Sequence, residues 1–336
     1  MTVASPPILT TPRLWSILAT VALGIILTGC GGDSREGVPP SPEPISFFAD
    51  DSVWNAPLAD DAAIDPGSEA RVAQLVRQVD EFGGWINTDQ FSTPLYVVPE
   101  DQERVPVALN RPGCCPQVEA DFREVPLPAD AVPADGTDAH LTVWQPSTDT
   151  LWEFWQLGRV GDGWEASYGG RLQDVSTSDG VVPVGGATAS SLPIIAGPML
   201  VDEARAGEIP HELAMAIPFP QRDAYVRPAL RTDGDGADGA PEEAQIPEGA
   251  RFRLPADLDI AAQRWSPFTK MLARAAQRHG IVLRDKAGAV VFFGEDPRGR
   301  GGDPWPGLIG LPKNEIMDEF PWEELQLLEL GEIIRQ

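Results

Sequence analysis

Apolar positions recur at spacings of three and four through Ser68–Phe82, where Val72, Leu75, Val76 and Val79 mark one face. That period predicts an amphipathic helix. Asp65-Pro66 opens it and Gly83-Gly84 stops it. From there to about residue 200 the pattern shortens. Apolar or alternating runs are cut by Pro and Gly at Leu95–Val98, Val105–Leu109, His140–Gln145, Leu151–Leu157, Trp164–Tyr168 and Val181–Val184. Such runs predict antiparallel strands of a sandwich or barrel. Leu200–Ala206 and Glu212–Ile217 suit either short helices or strands. Thr269–His279 predicts a second helix, ended by Gly280. Ile281–Leu283 and Val290–Phe293 predict a strand pair around Lys286-Ala-Gly288, and Phe320–Ile334 a helical tail. The expected fold is mainly β with peripheral helices, an α+β, antiparallel sandwich-like single domain over residues 45–336.

The N-terminal segment reads differently. Arg13 is the only charge before Cys30, and Leu14–Leu27 is an unbroken apolar stretch but for Ser16 and Thr20. A positive start, a short apolar core and a small-residue site describe a secretory signal. The stretch is shorter than the roughly twenty residues of a membrane span. Leu27-Thr28-Gly29-Cys30 resembles the lipobox of bacterial lipoproteins. The resemblance implies a signal peptide over residues 1–29 and a diacylglycerol thioether on Cys30, the site of lipidation. The protein would then sit on the extracytoplasmic side of the cell membrane. Residues 30–44, rich in Pro, Gly and Ser, predict a flexible tether.

Composition narrows the partners. The 336 residues carry a formal charge of −26, and loss of Arg13 with the leader makes it −27. Such a body repels phosphate backbones, so no nucleic acid is expected. Anionic headgroups attract it no better, which leaves the lipid on Cys30 to hold it to the membrane. Cys114 and Cys115 stand side by side in Arg111-Pro-Gly-Cys-Cys-Pro116. They form a strained vicinal disulfide, stay reduced, or pair between molecules. The sequence does not address oligomeric state.

The richest chemistry lies in Thr137-Asp-Ala-His140 and Trp152-Glu-Phe-Trp155, joined by Pro146-Ser-Thr-Asp149. Pairing Gln145 with Thr150 puts Leu141, Val143, Trp152 and Phe154 on one apolar face. The other face then holds His140, Thr142, Trp144, Glu153 and Trp155, with Asp138 at its edge. A slip by one residue would bury Glu153 among apolar neighbours, so the hydrophobic pattern favours the first register. Indoles beside carboxylates suit carbohydrate, and a carboxyl pair suits glycosidic hydrolysis. Glu153, Asp138, His140 and His211 are the catalytic candidates, with the pKa of Glu153 raised as an acid requires. Trp144, Trp155, Trp164, Glu203 and Arg227 are the candidate ligand-binding residues.

Other constellations are weaker. His211-Glu212 lacks the second histidine of a zinc helix, since Met215 stands there. His140 and His211 would have to converge with carboxylates to hold zinc. His279 ends a helix, where a cation suits the dipole. Asp233, Asp235 and Asp238 fall short of a calcium loop, with Asp238 and Ala244 where an EF-hand needs Gly and Glu. Residues 233–243 therefore predict a solvated acidic loop. No metal set and no cofactor motif is assembled by the sequence.

Ser52-Val-Trp-Asn55, Gly136-Thr-Asp-Ala-His140, Trp152-Glu-Phe-Trp155, Gly207-Glu-Ile-Pro-His211 and Tyr225-Val-Arg-Pro-Ala229 resemble a group of uncharacterised secreted bacterial proteins. The resemblance implies one shared secreted domain and no reaction. Three functions follow from the residues: a lipoprotein that binds or cleaves an envelope or extracellular glycan, a non-catalytic structural or partner-binding lipoprotein, and a metal-assisted hydrolase using His140 and His211.

Overall fold

Helix α1 (Ser68–Phe82) forms where the three-and-four spacing places it, with Val72 and Leu75 buried and Gly83 beyond its last turn at φ +77°. This and all that follows come from a computed structural model, which describes residues 45–182, 185–298, 300 and 302–336. The leader, Cys30 and the tether lie outside the described residues. From residue 45 the chain is a β-rich α+β domain, as its sequence predicts.

The strands that matter below run in chain order. They are β1 (Gly84–Asn87), β2 (Thr93–Val97), β3 (Leu141–Gln145), β4 (Thr150–Trp155), β5 (Tyr168–Gln173), β6 (Leu213–Ile217), β7 (Arg251–Arg253), β8 (Ile281–Lys286), β9 (Val290–Phe293), β10 (Glu295–Asp296) and β11 (Gln326–Leu327). A six-stranded sheet has the order β1-β9-β6-β8-β7-β11, and a five-stranded sheet the order β10-β2-β3-β4-β5. Both are mixed. The hairpin β3-β4 and the pair β4-β5 are antiparallel, while β2 runs parallel to β3 and β6 parallel to β8. The expectation of antiparallel strands therefore holds for the hairpin and β4-β5 and is corrected for β2-β3 and β6-β8, whose parallel pairing joins segments far apart in the chain.

Both faces of the five-stranded sheet are covered. Leu141, Val143, Trp152 and Phe154 pack on Val118, Phe122 and Trp164. Leu95, Trp144 and Leu151 on the opposite face meet Phe47, Trp54, Leu192, Ile195 and Val282 of β8. Val282 thus joins the two sheets through one apolar layer. The six-stranded sheet buries its outer face under α1 and helix α2 (Pro267–Arg278). Ser266 caps α2 by accepting the Thr269 N–H at 3.1 Å. Gly169 on β5 allows a close approach to β4. A Cβ there would lie 2.1 Å from the Glu153 carbonyl oxygen, at φ +155°.

Three further expectations are corrected. Ile281–Leu283 and Val290–Phe293 are strands but not partners. β6, Leu-Ala-Met-Ala-Ile and buried throughout, lies between them; an apolar run of this kind needs neighbours on both sides. The tail is not a helix: Pro321 breaks it, and β11 pairs with β7 at Phe252↔Leu327. Residues 233–243 are not a free loop. Gly236 donates to the Pro220 carbonyl at 2.8 Å, and Gly234 and Gly236 are buried.

Candidate functional site

The hairpin adopts the register read from its pattern, Leu141↔Phe154, Val143↔Trp152 and Gln145↔Thr150. The face bearing His140, Thr142, Trp144, Glu153 and Trp155 is nevertheless not an open platform. Trp144 is core, edge-on to Phe47 at 5.6 Å between ring centroids. Trp164 is core too, beneath the Arg159 guanidinium at 3.8 Å. Neither presents an open face: Trp144 lies under the apolar layer around Phe47, and Trp164 is buried beneath Arg159.

Glu153 is 1% exposed and is corrected as a catalytic candidate. Its Oε1 accepts the Ala187 N–H and its Oε2 the Ile194 N–H, each at 2.7 Å. Arg284, also buried, donates to the Ile194 carbonyl at 2.7 Å and the Ala196 carbonyl at 3.0 Å. The Ile194 residue therefore links the carboxylate of β4 to the guanidinium of β8. Burial pushes the Glu153 pKa up, while the two amides and Arg284 pull it down. The expected direction holds, but both oxygens are spent on the 187–194 segment.

Asp138, His140 and Trp155 are brought together, in a cavity of about 450 Å³. Tyr168, Arg231, Asp233, Asp285 and Lys286 line it with them. The Trp155 indole N–H donates to Asp138 Oδ1 at 3.3 Å, and Trp155 keeps part of its surface. Arg231 donates to the Thr188 and Ala189 carbonyls at 2.7 and 2.8 Å and lies 5.2 Å from the Tyr168 ring. His140 is 8% exposed, with Nε2 lacking any hydrogen-bond partner. Burial, and then the charge of Arg284, push its pKa down to about 3, so the imidazole is neutral.

Two acids of this lining, Asp233 and Asp285, meet a third, Glu248, beside the cavity. Asp233, Glu248 and Asp285 each bring an oxygen within 4.8 Å of the others. Burial pushes Asp285 up to about 7 against the pull of Arg284, and the charge of Asp233 adds to the rise. Glu248 is raised well above its ordinary value by burial and by its two acidic neighbours. Lys286 does not neutralise the trio directly; its ammonium is 2.7 Å from Asp235 Oδ2.

His211 and Glu203 belong to a different cavity, of about 360 Å³, with Trp54 and His279. His211 Nδ1 is 2.9 Å from the Glu212 carbonyl and Nε2 is 3.1 Å from Glu203 Oε2. Both neighbours are acceptors, so the ring donates from both nitrogens. Burial, the largest single effect, pushes its pKa down, but the charge of Glu203 and the hydrogen bonds to Glu203 and the Glu212 carbonyl together raise it. A doubly donating imidazole has no lone pair for a metal, and it does not share a cavity with His140. The zinc arrangement of His140 with His211 is thus corrected. Arg227 lines a third cavity, with Leu58 and Leu328, away from both. His279 follows α2 as a neutral ring, its pKa lowered by burial and by Arg278, and not as a cation.

Sequence reasoning missed Tyr168, Arg231, Glu248, Asp285 and Lys286. Arg284-Asp285 offered a signal, as a charged pair closing an apolar strand. Glu248, alone between Ile246-Pro247 and Gly249-Ala250, offered another. Cys114 and Cys115 are free thiols in this structure. No protein-family model, no curated protein and no solved structure matches the chain.

Proposed function

We propose that this protein is a lipid-anchored extracytoplasmic lipoprotein whose Asp138–His140–Trp155 cavity binds an envelope or extracellular glycan. What carries the reading is the meeting of a half-buried indole with hydrogen-bonding side chains of both signs in one cavity. Trp155 and Tyr168 offer flat apolar surface to the C–H face of a sugar ring. Asp138 and Asp233 accept hydroxyl hydrogens, and Lys286 donates to ring or hydroxyl oxygens. The acidic charge of the whole body argues for a neutral or cationic ligand in preference to an anionic one.

Burial of Glu153 favours binding without hydrolysis through that residue. The alternative, a structural or partner-binding lipoprotein, draws support from the buried Trp144 and Trp164. A glycan array, followed by titration of each hit into the wild type and Trp155→Ala, separates the two. The expected result is selective binding by the wild type and its loss in Trp155→Ala, with the melting temperature nearly unchanged. An array on which the wild type binds no glycan excludes the carbohydrate reading and favours the partner-binding one.

A further inference from the structure

We infer that Asp233, Glu248 and Asp285 form a binding site for a divalent cation with the coordination chemistry of calcium. The site stands independently of the carbohydrate reading, since ion binding is measured without any sugar.

The three carboxylates come from separate backbone segments, each fixed in place. Asp285 sits where the β6-β8 ladder shifts register between Leu283 and Asp285. An irregularity of this kind re-aims a side chain out of the strand's alternation. Glu248 is held on both sides: its carbonyl accepts the Val226 N–H at 2.8 Å, and the next residue, Gly249, donates to the Leu283 carbonyl at 2.8 Å. Gly249 has φ +88°, and a Cβ on it would lie 1.9 Å from the Val226 oxygen, so this approach requires glycine. Asp233 precedes Gly234, whose carbonyl accepts the Asp223 N–H at 3.3 Å.

An acidic cluster alone is no site, and Glu248 supplies the second observation. Its side chain is 0% exposed, and neither oxygen accepts a hydrogen bond of ordinary geometry. The Thr232 side chain and the Asp233 main chain lie on its side and favour its charged form without meeting that geometry. Among the described residues no arginine, lysine or histidine pairs with any of the three; Lys286 is engaged by Asp235 and Arg231 by backbone carbonyls. A buried carboxylate with both oxygens orphaned, aimed at two more carboxylates, lacks a cation.

The all-oxygen ligand set selects the class of ion. Calcium takes oxygen ligands at about 2.3–2.6 Å in a flexible shell of roughly six to eight. The three carboxylate oxygens lie within 4.8 Å of one another, close enough to share one such ion. Magnesium demands near-ideal octahedral geometry and gives up its waters reluctantly, so three protein carboxylates suit it less well. With no nitrogen or sulfur ligand among the three, zinc is disfavoured. The carboxylates supply up to six oxygens, and the adjoining cavity admits water for the rest. The ion would form the floor of the cavity, beside Asp138.

The test uses the full chain, stripped with EDTA and titrated with CaCl₂ by calorimetry and by thermal melting. One site per molecule is expected, with Kd about 10⁻⁴–10⁻³ M or tighter, the range of calcium modules outside the cytosol. Calcium should raise the melting temperature more than magnesium. Glu248→Gln should weaken binding by at least the roughly 10–100-fold that even an outer partner of a metal ligand costs. Glu242→Gln, on the exposed surface, should bind as the wild type does. If Glu248→Gln fails to fold, Asp285→Asn is read by terbium luminescence excited through tryptophan; Trp155 lines the same cavity. Terbium emission displaced by calcium and lost in Asp285→Asn supports the site. Absence of a calorimetric or melting response in the wild type overturns it. So does a Glu248→Gln protein that binds calcium undiminished, or one that is stabilised while the wild type ignores calcium, the mark of three carboxyls sharing protons.

Discussion

His140 shows how far one residue's surroundings override its type. An imidazole ordinarily titrates near 6.5, yet here burial and Arg284 hold it neutral down to about pH 3. The consequence for stability has a definite sign. Below pH 6.5 the unfolded chain takes up a proton on His140 and the folded chain does not, so acidification favours unfolding. Within that window the one group contributes a slope of about 1.4 kcal/mol per pH unit. Raised carboxyls such as Glu153 and Glu212 act in the opposite direction, because the folded state takes their protons first. They are common to wild type and variant and cancel in the difference. Melting curves from pH 7 to pH 4 should therefore show a shallower acid loss in His140→Gln than in the wild type. Parallel curves for the two proteins would mean that His140 charges freely in the fold.

At the scale of elements, the hairpin divides what was legible from what was not. Alternation fixed which residues share a face of β3-β4, and the register followed from keeping Glu153 off the Leu141 face. Alternation says nothing of what covers the second face. That cover is the 187–196 segment, far along the chain, whose amides engage Glu153 and whose carbonyls engage Arg284. The position of β6 between β8 and β9 is likewise a long-range pairing that no local period encodes. The cavity was legible in part: Asp138, His140 and Trp155 lie within one hairpin, whereas Asp233, Glu248 and Asp285 meet only through tertiary packing. Glu153 is now expected to be structural. Glu153→Gln puts an amide NH₂ against a backbone N–H and leaves Arg284 without its nearby carboxylate. Losing a charge-assisted hydrogen bond and leaving a buried backbone donor unpaired costs about 1.5–3 kcal/mol. Urea unfolding of Glu153→Gln should show that loss. A change below about 1 kcal/mol, the worth of an ordinary hydrogen bond, would return Glu153 to the list of functional candidates.

For the whole molecule, the proposed anchoring raises the question of what would hold an acidic body at a membrane. No described helix is long and apolar enough to cross one. The formal charge of −26, or −27 if the proposed leader takes Arg13 with it, repels anionic headgroups, so surface electrostatics work against attachment. Among the described residues the large exposed apolar side chains, such as Trp85, Val97 and Val160, are few. The proposed lipid on Cys30 must then supply the free energy of attachment, at about 0.8 kcal/mol per buried CH₂. A single short chain gives only marginal binding, and two or more make it stable. Cys30→Ser removes the thioether and should move the protein from the membrane fraction to the soluble one, with loss of labelling by a radioactive or clickable fatty acid. High salt should not release the wild type, since the attachment is not ionic. Release of the wild type by salt, or a Cys30→Ser protein that still sediments with membranes, would locate the attachment elsewhere. In that event the apolar stretch before Cys30 becomes the element to test, by shortening it and repeating the fractionation.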